Sequence, residues 1–338
     1  MRVMLTGATG LTGFHTAVAL MRAGHEPRCL VRSEEKLRRA FAEMPVPDFV
    51  VGDMTDPASV EKALTGCEAA VHAAGLVTIE ARRGDEVMET NLRGTDLVVG
   101  GAIERGLRHV VYVSSLGAIF DPWGGKTRGD GPIVPASNPY SLSKARCEER
   151  VRALQDGGAP ISIVYPSAIQ GPDDPGLSEA NQGMATLLKT VVPVTSGGYV
   201  VVDARDLAQA LVALLDAGSV GRFIAAGHFL TWREQCDLLG ELTGRSPRTL
   251  PLPGWLYRLL GRAGDLLRHA VSFDFPMTLE AMTFMTRFRP IASSPELSEL
   301  GVGWRPTRGT YEDTLRWLLR EGHLDPQLAP RLADPASG

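Results

Sequence analysis

The sequence predicts an α/β protein built around a doubly wound parallel sheet, and three observations carry that expectation. Short apolar runs without polar alternation recur through the first half of the chain, as strands buried on both faces do. Longer stretches with apolar residues at helical spacing separate them, and such alternation is the pattern of βαβ units. Three glycines, Gly7, Gly10 and Gly13, directly follow the first run.

Taken in order, VMLTG reads as the first strand and TGFHTAVALMRAGH as the first helix. PRCLV, DFVVGD, AAVHAA and HVVYVSS read as further strands, with SEEKLRRAFAEM, PASVEKALTG and residues 85–106 as the helices between them. Gly24, Gly66 and Gly106 stand where those helices stop, because a left-handed residue just past a helix end is cheapest as glycine. ISIVYPSAI is another buried strand. Gly, Pro and Asp then cluster in QGPDDPGLSE, and GGYVVVDARDLAQALVALL and GRFIAAG bring back a strand, a helix and a strand. The remainder reads as mostly helical, with proline-marked breaks at TLPLPGW and RFRPIASS. The expected organisation is a sheet domain over 1–167, to which 199–228 returns, an interleaved substrate region of 168–198 and 229–325, and a tail over 326–338.

The 338 residues suit one large domain or two joined ones, and 44% hydrophobic with 22% charged residues is the composition of a folded globular chain. A net charge of −4 without a basic block gives nucleic-acid binding no electrostatic support. Cys29, Cys67, Cys147 and Cys236 show no C-x-x-C pairing, which argues against a metal site or disulfide framework and for a reducing compartment. MRVMLTGATG reads as a folded strand rather than a signal peptide, and no run approaches the roughly 20 apolar residues that span a bilayer. A cytoplasmic protein acting on a small molecule is expected.

The glycine triplet has a chemical reading. A sharp strand-to-helix turn needs a residue free of Cβ, a pyrophosphate needs close backbone approach, and the helix amino terminus offers unpaired N–H groups and the positive end of its dipole. A second constellation is NPYSLSK, residues 138–144, where Pro139 suits a first helical turn and Tyr140 and Lys144 lie one turn apart. A carbonyl that receives hydride must also receive a proton. Tyrosine, at roughly 10, is a poor base near neutrality, and an ammonium one turn away favours the phenolate and lowers that value. Ser115 precedes Tyr140 by 25 residues at the carboxyl end of a strand, where open α/β sheets place ligands and a serine hydroxyl, from Ser115 or Ser114, can bond the substrate oxygen.

The G-x-x-G-x-x-G spacing together with NPYSLSK resembles the extended branch of the short-chain dehydrogenase/reductase superfamily, with a pattern similar to dihydroflavonol-reductase-like and 3β-hydroxysteroid-dehydrogenase-like members. Further motifs follow in order: GDMTD, HAAG, ETNLRGT, VSSLGA and YPSAIQGP. The resemblance implies a Rossmann domain that binds a nicotinamide dinucleotide through Thr6, Gly7, Thr9, Gly10, Leu11, Thr12 and Gly13. It implies adenine contacts at Asp53 and Met54, a turn at Ala73, Ala74 and Gly75 beside the cofactor, and a structural role for Asn91. Ser114 would lie by the cofactor, Ser115 on the substrate, and Tyr140 would be the acid/base. Lys144 would hold the nicotinamide ribose, and Pro166, Ser167 and Ile169 would line the nicotinamide. Tyr165 departs from the arginine that many extended members carry. His72 and His15 are read as structural, and Asp203 and Asp206 as residues satisfying a helix start.

Beyond the second strand, Arg32 and Lys36 can face a 2′-phosphate and no acid occupies the strand end, so NADP is favoured; with Glu34 or Glu35 turned inward, NAD would be the cofactor. SSLGAIF holds no acid, and since dehydratases of the family it resembles usually carry an acidic pair there, the resemblance disfavours dehydration. In PGWLYRLLGRAGDLLRHA, Arg258, Arg262 and Arg268 alternate with Trp255, Leu256, Leu259, Leu260, Leu266 and Leu267, an amphipathic helix suited to an apolar pocket or to packing, and FPMTLEAMTFMTRF adds methionines. The expected activity is NADP-preferring reduction of a ketone or aldehyde, or oxidation of the matching alcohol, on a mostly apolar substrate. A sugar-nucleotide 4-epimerase with tightly bound NAD and a non-catalytic dinucleotide sensor are the alternatives. Relatives often dimerise through the helices of 85–106 and 140–154; these sequences leave a homodimer open.

Overall fold

The computed structural model describes residues 1–77, 83–134, 138–270 and 278–333, the side chains of 267–270 apart. Leu267, Arg268, Met277 and the terminal 334–338 of the expectations above therefore lie outside what is described.

Each apolar run becomes a strand because its side chains alternate between two helical layers. β1 (Arg2–Thr6) sends Val3 and Leu5 into one apolar cluster and Met4 into another across the sheet. The first half continues α1 (Leu11–Arg22), β2 (Glu26–Val31), α2 (Glu34–Ala40), β3 (Asp48–Val51), α3 (Pro57–Leu64), β4 (Ala69–His72), α4 (Gly84–Thr95), α5 (Gly101–Glu104), β5 (His109–Val113), α6 (Pro139–Asp156) and β6 (Ile161–Pro166). Gly24, Gly66 and Gly106 adopt φ of +79°, +74° and +69° just past helices, the conformation glycine alone enters without strain. Between α4 and α5 the chain widens into a π turn, Asp96–Gly100, so the single helix expected over 85–106 is interrupted.

The second half runs β7 (Ala168–Gln170), α7 (Glu179–Lys189), β8 (Val191–Val194), β9 (Gly198–Asp203), α8 (Ala204–Ala217), β10 (Gly221–Ala225), β11 (His228–Thr231), α9 (Trp232–Thr243), β12 (Arg248–Pro251), α10 (Gly254–Ala270), α11 (Leu279–Arg287), α12 (Pro295–Glu299), α13 (Thr307–Arg320) and α14 (Pro330–Ala333). The central sheet has the order β3-β2-β1-β4-β5-β6-β10, and every pairing in it is parallel. β1 lies between β2 and β4, so the chain reverses its direction of winding there and leaves a crevice at the carboxyl ends of β1 and β4.

Residues 199–203, expected with the central sheet, lie instead in β9, which pairs with β7 and β11 in a separate three-stranded sheet. A continuous apolar strand carries no mark of which sheet receives it. α8 packs on α1, and β10 pairs with β6 at the sheet's edge. The proline break at TLPLPGW contains β12, which pairs with β8 in a two-stranded ladder, an edge setting that tolerates Pro193 and Pro251. α7, β9, α9 and α13 bury Met184, Leu239, Tyr311, Leu315 and Leu318 in a third apolar cluster. Asp203 caps α8 by accepting from the Arg205 N–H at 2.8 Å. Asp206 does something else: it accepts from the backbone and guanidinium of Arg305, both at 2.7 Å, and ties the carboxyl-terminal region to α8. No helix among the described residues is long and apolar enough to cross a membrane.

Candidate active site

The glycine loop closes against the end of β4. Gly7 has φ +87°, and a Cβ on it would lie 3.0 Å from the Ala74 nitrogen and 3.1 Å from the Ala73 carbonyl carbon. A Cβ on Gly13 would lie 2.1 Å from the Gly7 oxygen, so α1 can approach the turn only with glycine there. Gly10 is the extended N-cap of α1 and carries no capping side chain, which leaves the first-turn N–H groups of Leu11, Thr12 and Gly13 directed out of the helix end. Thr9 and Gly10 form the outer bend, with Gly176 packed against them. This cradle, open at a helix amino terminus and walled where a Cβ would stand, fits the pyrophosphate of a dinucleotide.

Thr6 binds the two strands together, accepting from the Ala74 N–H at 3.0 Å and sharing a 2.7 Å hydrogen bond with His72 Nδ1. Burial drives the His72 imidazole down to about 3, helped by the Lys144 charge, so the ring is neutral and structural. His15 is likewise buried, its Nε2 2.9 Å from the Pro172 oxygen. Asp53 accepts from the backbone and hydroxyl of Thr55 at 2.8 and 2.7 Å, and Met54 packs on α4 where Gly94 has no side chain. Arg32, immediately after β2, and Lys36 on α2 are exposed, whereas Glu34 is held by Arg38 at 2.7 Å. Ser167 is anchored to the end of β10, donating to the Ala226 oxygen at 2.7 Å; Pro166 ends β6, and Ile169 lies in β7 opposite Val202.

At the carboxyl end of β5 the two serines diverge, as neighbours on a strand must. Ser114 is buried and donates to Glu148 Oε2 at 2.7 Å. Ser115 accepts from the Gly117 N–H at 3.1 Å and reaches Tyr140. The second hydroxyl, not the first, faces the tyrosine. Tyr140 occupies the first turn of α6, started by Asn138, whose side chain accepts from the Ser141 N–H at 2.8 Å, and by Pro139. One turn on, Lys144 donates to the Val113 oxygen at 3.0 Å and stands beside Gly75, whose missing Cβ would lie 3.6 Å from Nζ. Asn91 links the same turn to α6, accepting from the Leu76 N–H at 2.7 Å and donating to Ser143 Oγ at 2.9 Å.

The expected lowering of the Tyr140 phenol is corrected by its surroundings. Burial, against the Ser115 hydrogen bond and with smaller contributions from Glu179 on α7 and Cys147, pushes it up to about 12. Lys144 is itself lowered by burial and directs its ammonium to Val113. Near neutrality Tyr140 is a protonated phenol.

Sequence reasoning missed a group behind the site. Tyr140, Lys144, Glu148 and Arg152 recur every fourth residue along α6, and Glu148 is fully buried. Its carboxylate accepts from Ser114, from Arg152 Nε at 2.7 Å and from the Tyr165 hydroxyl, and Arg152 also donates to Tyr165 at 2.9 Å. Tyr165 thus meets an arginine brought by the helix. The fourfold polar spacing was the available signal.

A model of the NAD dependent epimerase/dehydratase family matches residues 3–227. The chain is 27% identical over 338 residues to sterol demethylase protein B of Methylococcus capsulatus, covering 96% of this chain and 100% of that one. It is 30% identical over 256 residues to a ceramide reductase of Caulobacter vibrioides, covering 74% and 73%. In fold it is similar to UDP-glucose 4-epimerase from Bifidobacterium longum, solved with NAD+ and UDP, with a TM-score of 0.72 at 18% identity over 95% of this chain and 99% of that one.

Removing Glu148 leaves Arg152 and two hydroxyls without their acceptor. The variant Glu148→Leu is expected to lose about 3–5 kcal/mol of stability, the usual cost of breaking a buried ion pair, read as a lower midpoint in urea unfolding.

Proposed function

The chain belongs to the NAD dependent epimerase/dehydratase family, and from that premise we propose that it is an oxidoreductase, preferring NADP, that reduces a ketone or aldehyde on a mostly apolar substrate. The observation that carries this reading is the pairing of Ser115 with a protonated Tyr140 at the carboxyl end of β5, beside Lys144 and the Gly75 turn.

When bound, the nicotinamide would supply or accept the hydride. The chain's own residues handle the proton and the positioning. Ser115 donates to the substrate oxygen and orients it. Tyr140 delivers the proton to that oxygen, a task suited to a phenol that stays protonated across the neutral range. Lys144 would hold the ribose, and the Ser115 hydrogen bond stabilises the phenolate left after transfer. Gly7, Gly10 and the first turn of α1 would receive the pyrophosphate.

NADP is supported by Arg32, exposed just past the end of β2, where the sequence has no acid, and by the Arg38 contact that draws Glu34 along its own helix. An apolar substrate is supported by Phe120, which follows the Ser115 turn and packs on Phe288 and Phe284 at centroid distances of 4.3 and 5.4 Å. Relatives named for sterol and ceramide chemistry point the same way.

Tyr140→Phe is expected to cut carbonyl reduction by about 10²–10⁴-fold in kcat while leaving NADPH binding intact; full activity on any true substrate refutes the assignment. Alcohol oxidation needs the phenolate, whose fraction grows as pH climbs toward about 12. Oxidation rates should therefore rise from pH 7 to 10 while reduction rates do not, measured with one substrate pair in both directions. Replacing Arg32 by Ser should weaken NADPH by about 10- to 100-fold and leave NADH unchanged, as loss of charge-assisted hydrogen bonds predicts; equal NADPH affinity in both proteins sinks the NADP reading.

A further inference from the structure

One helix of the carboxyl-terminal region touches the segments on both sides of the Ser115–Tyr140 pair. In its first turn, Glu280 of α11 accepts from the Asn138 backbone N–H at 2.8 Å through Oε2 and from the Asn138 side-chain amide through Oε1. Further along, Phe284 and Phe288 pack on Phe120, five residues after Ser115.

Two carboxylate oxygens on two donors of one residue make a fork, which fixes direction as well as distance. Asn138 is the N-cap of α6: its Oδ1 accepts from the Ser141 N–H, its Nδ2 also donates to Ser141 Oγ at 2.8 Å, and its carbonyl accepts from the Leu142 N–H at 3.0 Å. Every polar group of the cap is therefore engaged, on one side by the helix it starts and on the other by Glu280. Only Pro139 separates the cap from Tyr140; its φ is fixed, and its ring meets α4 at Gly84, where a Cβ would lie 3.3 Å from the proline Cγ. Two residue steps span at most about 7 Å, so a shift of Asn138 passes almost undiminished to Tyr140.

Glu280 is itself held in place. The Leu279 N–H donates to Asp265 on α10 at 3.1 Å, and Thr278 caps α11 by accepting from the Ala281 N–H at 3.1 Å. α10 comes to backbone contact at Gly261, where a Cβ would lie 2.8 Å from the Leu279 Cα. Near the other end of α11, the Met285 oxygen accepts from the Thr195 hydroxyl at 2.8 Å and from Trp232 Nε1 at 2.7 Å. The carboxylate also stands at the amino end of α6, where the helix dipole favours a negative charge.

We propose that Glu280 is a positioning residue for Tyr140: through Asn138 it sets the first turn of α6 against Ser115, and α11 thereby ties the carboxyl-terminal region to the alignment of the two hydroxyls. The catalytic half of this statement rests on the oxidoreductase reading; the clamp on Asn138 does not.

The test compares wild type, Glu280→Ala and Glu280→Gln by deuterium uptake of peptides spanning 138–142, by NADPH affinity and by the kinetics of NADPH-dependent carbonyl reduction. Glu280→Ala is expected to exchange about tenfold faster at 138–142, with the last turns of α6 unchanged, because the opening is local. Its kcat should fall by about 10- to 100-fold while NADPH affinity stays within about twofold, the scale on which a displaced reacting group loses rate. Glu280→Gln keeps one acceptor oxygen but turns a donor toward the Asn138 amide, and should fall between the two. Unchanged uptake at 138–142 in folded Glu280→Ala overturns the clamp. Faster uptake with unchanged kcat overturns the positioning role, and so does a loss of NADPH affinity as large as the loss of kcat, which marks general structural support. Where the alanine variant does not fold, the isosteric Glu280→Gln decides by the same criteria. A wild type that turns over no carbonyl with NADPH or NADH loses the oxidoreductase reading and with it the catalytic half, and the uptake comparison still decides the clamp.

Discussion

A helix that buries polar side chains in a line must find a partner for each of them, and α6 is held by that requirement. Lys144 spends its ammonium on the Val113 carbonyl, and Glu148 is surrounded by Ser114, Arg152 and Tyr165. Turning the helix by one residue, about 100°, would carry both charges away from every one of these groups. An uncompensated buried charge costs several kcal/mol, more than a typical apolar contact can offset. The rotation of α6 is thereby set from behind, and Tyr140, at its first turn, inherits that setting.

The front of the site is set by space rather than charge. At Gly7 and Gly13 there is no volume for a side chain, so β1, α1 and the end of β4 meet backbone to backbone. Thr6, neutral His72 and Thr95 continue that contact as a chain of hydrogen bonds toward α4. The glycine cradle and α6 are consequently two faces of one packed unit, joined where Lys144 stands beside Gly75.

What could be read from the residues divides along the range of the interactions. The strands, the glycine turn and the Tyr140–Lys144 pair were legible because each is written within a few consecutive residues as a period or a spacing. The acidity of Tyr140 was not, since local spacing names Lys144 as its neighbour while burial, Glu179 and Cys147 reach it through the tertiary fold. Glu148 escaped notice for the same reason: its partners Ser114 and Tyr165 are 34 and 17 residues away. β9 shows the limit from the other side. Its sequence states that it is a buried strand and is silent about which sheet it enters.

The first turn of α6 is also gripped from outside. Asn138, which caps it, donates its backbone N–H to Glu280 on α11 at 2.8 Å, and its side-chain amide to the same carboxylate. α11 ends at Arg287, one of the residues lining a cavity of about 330 Å³. Any recombination between this chain and its relatives that exchanges the 278–290 segment also exchanges the grip on the turn that carries Tyr140. The transplanted segment would then arrive with a misaligned Tyr140 unless positions 138 and 280 travel together as a matched pair.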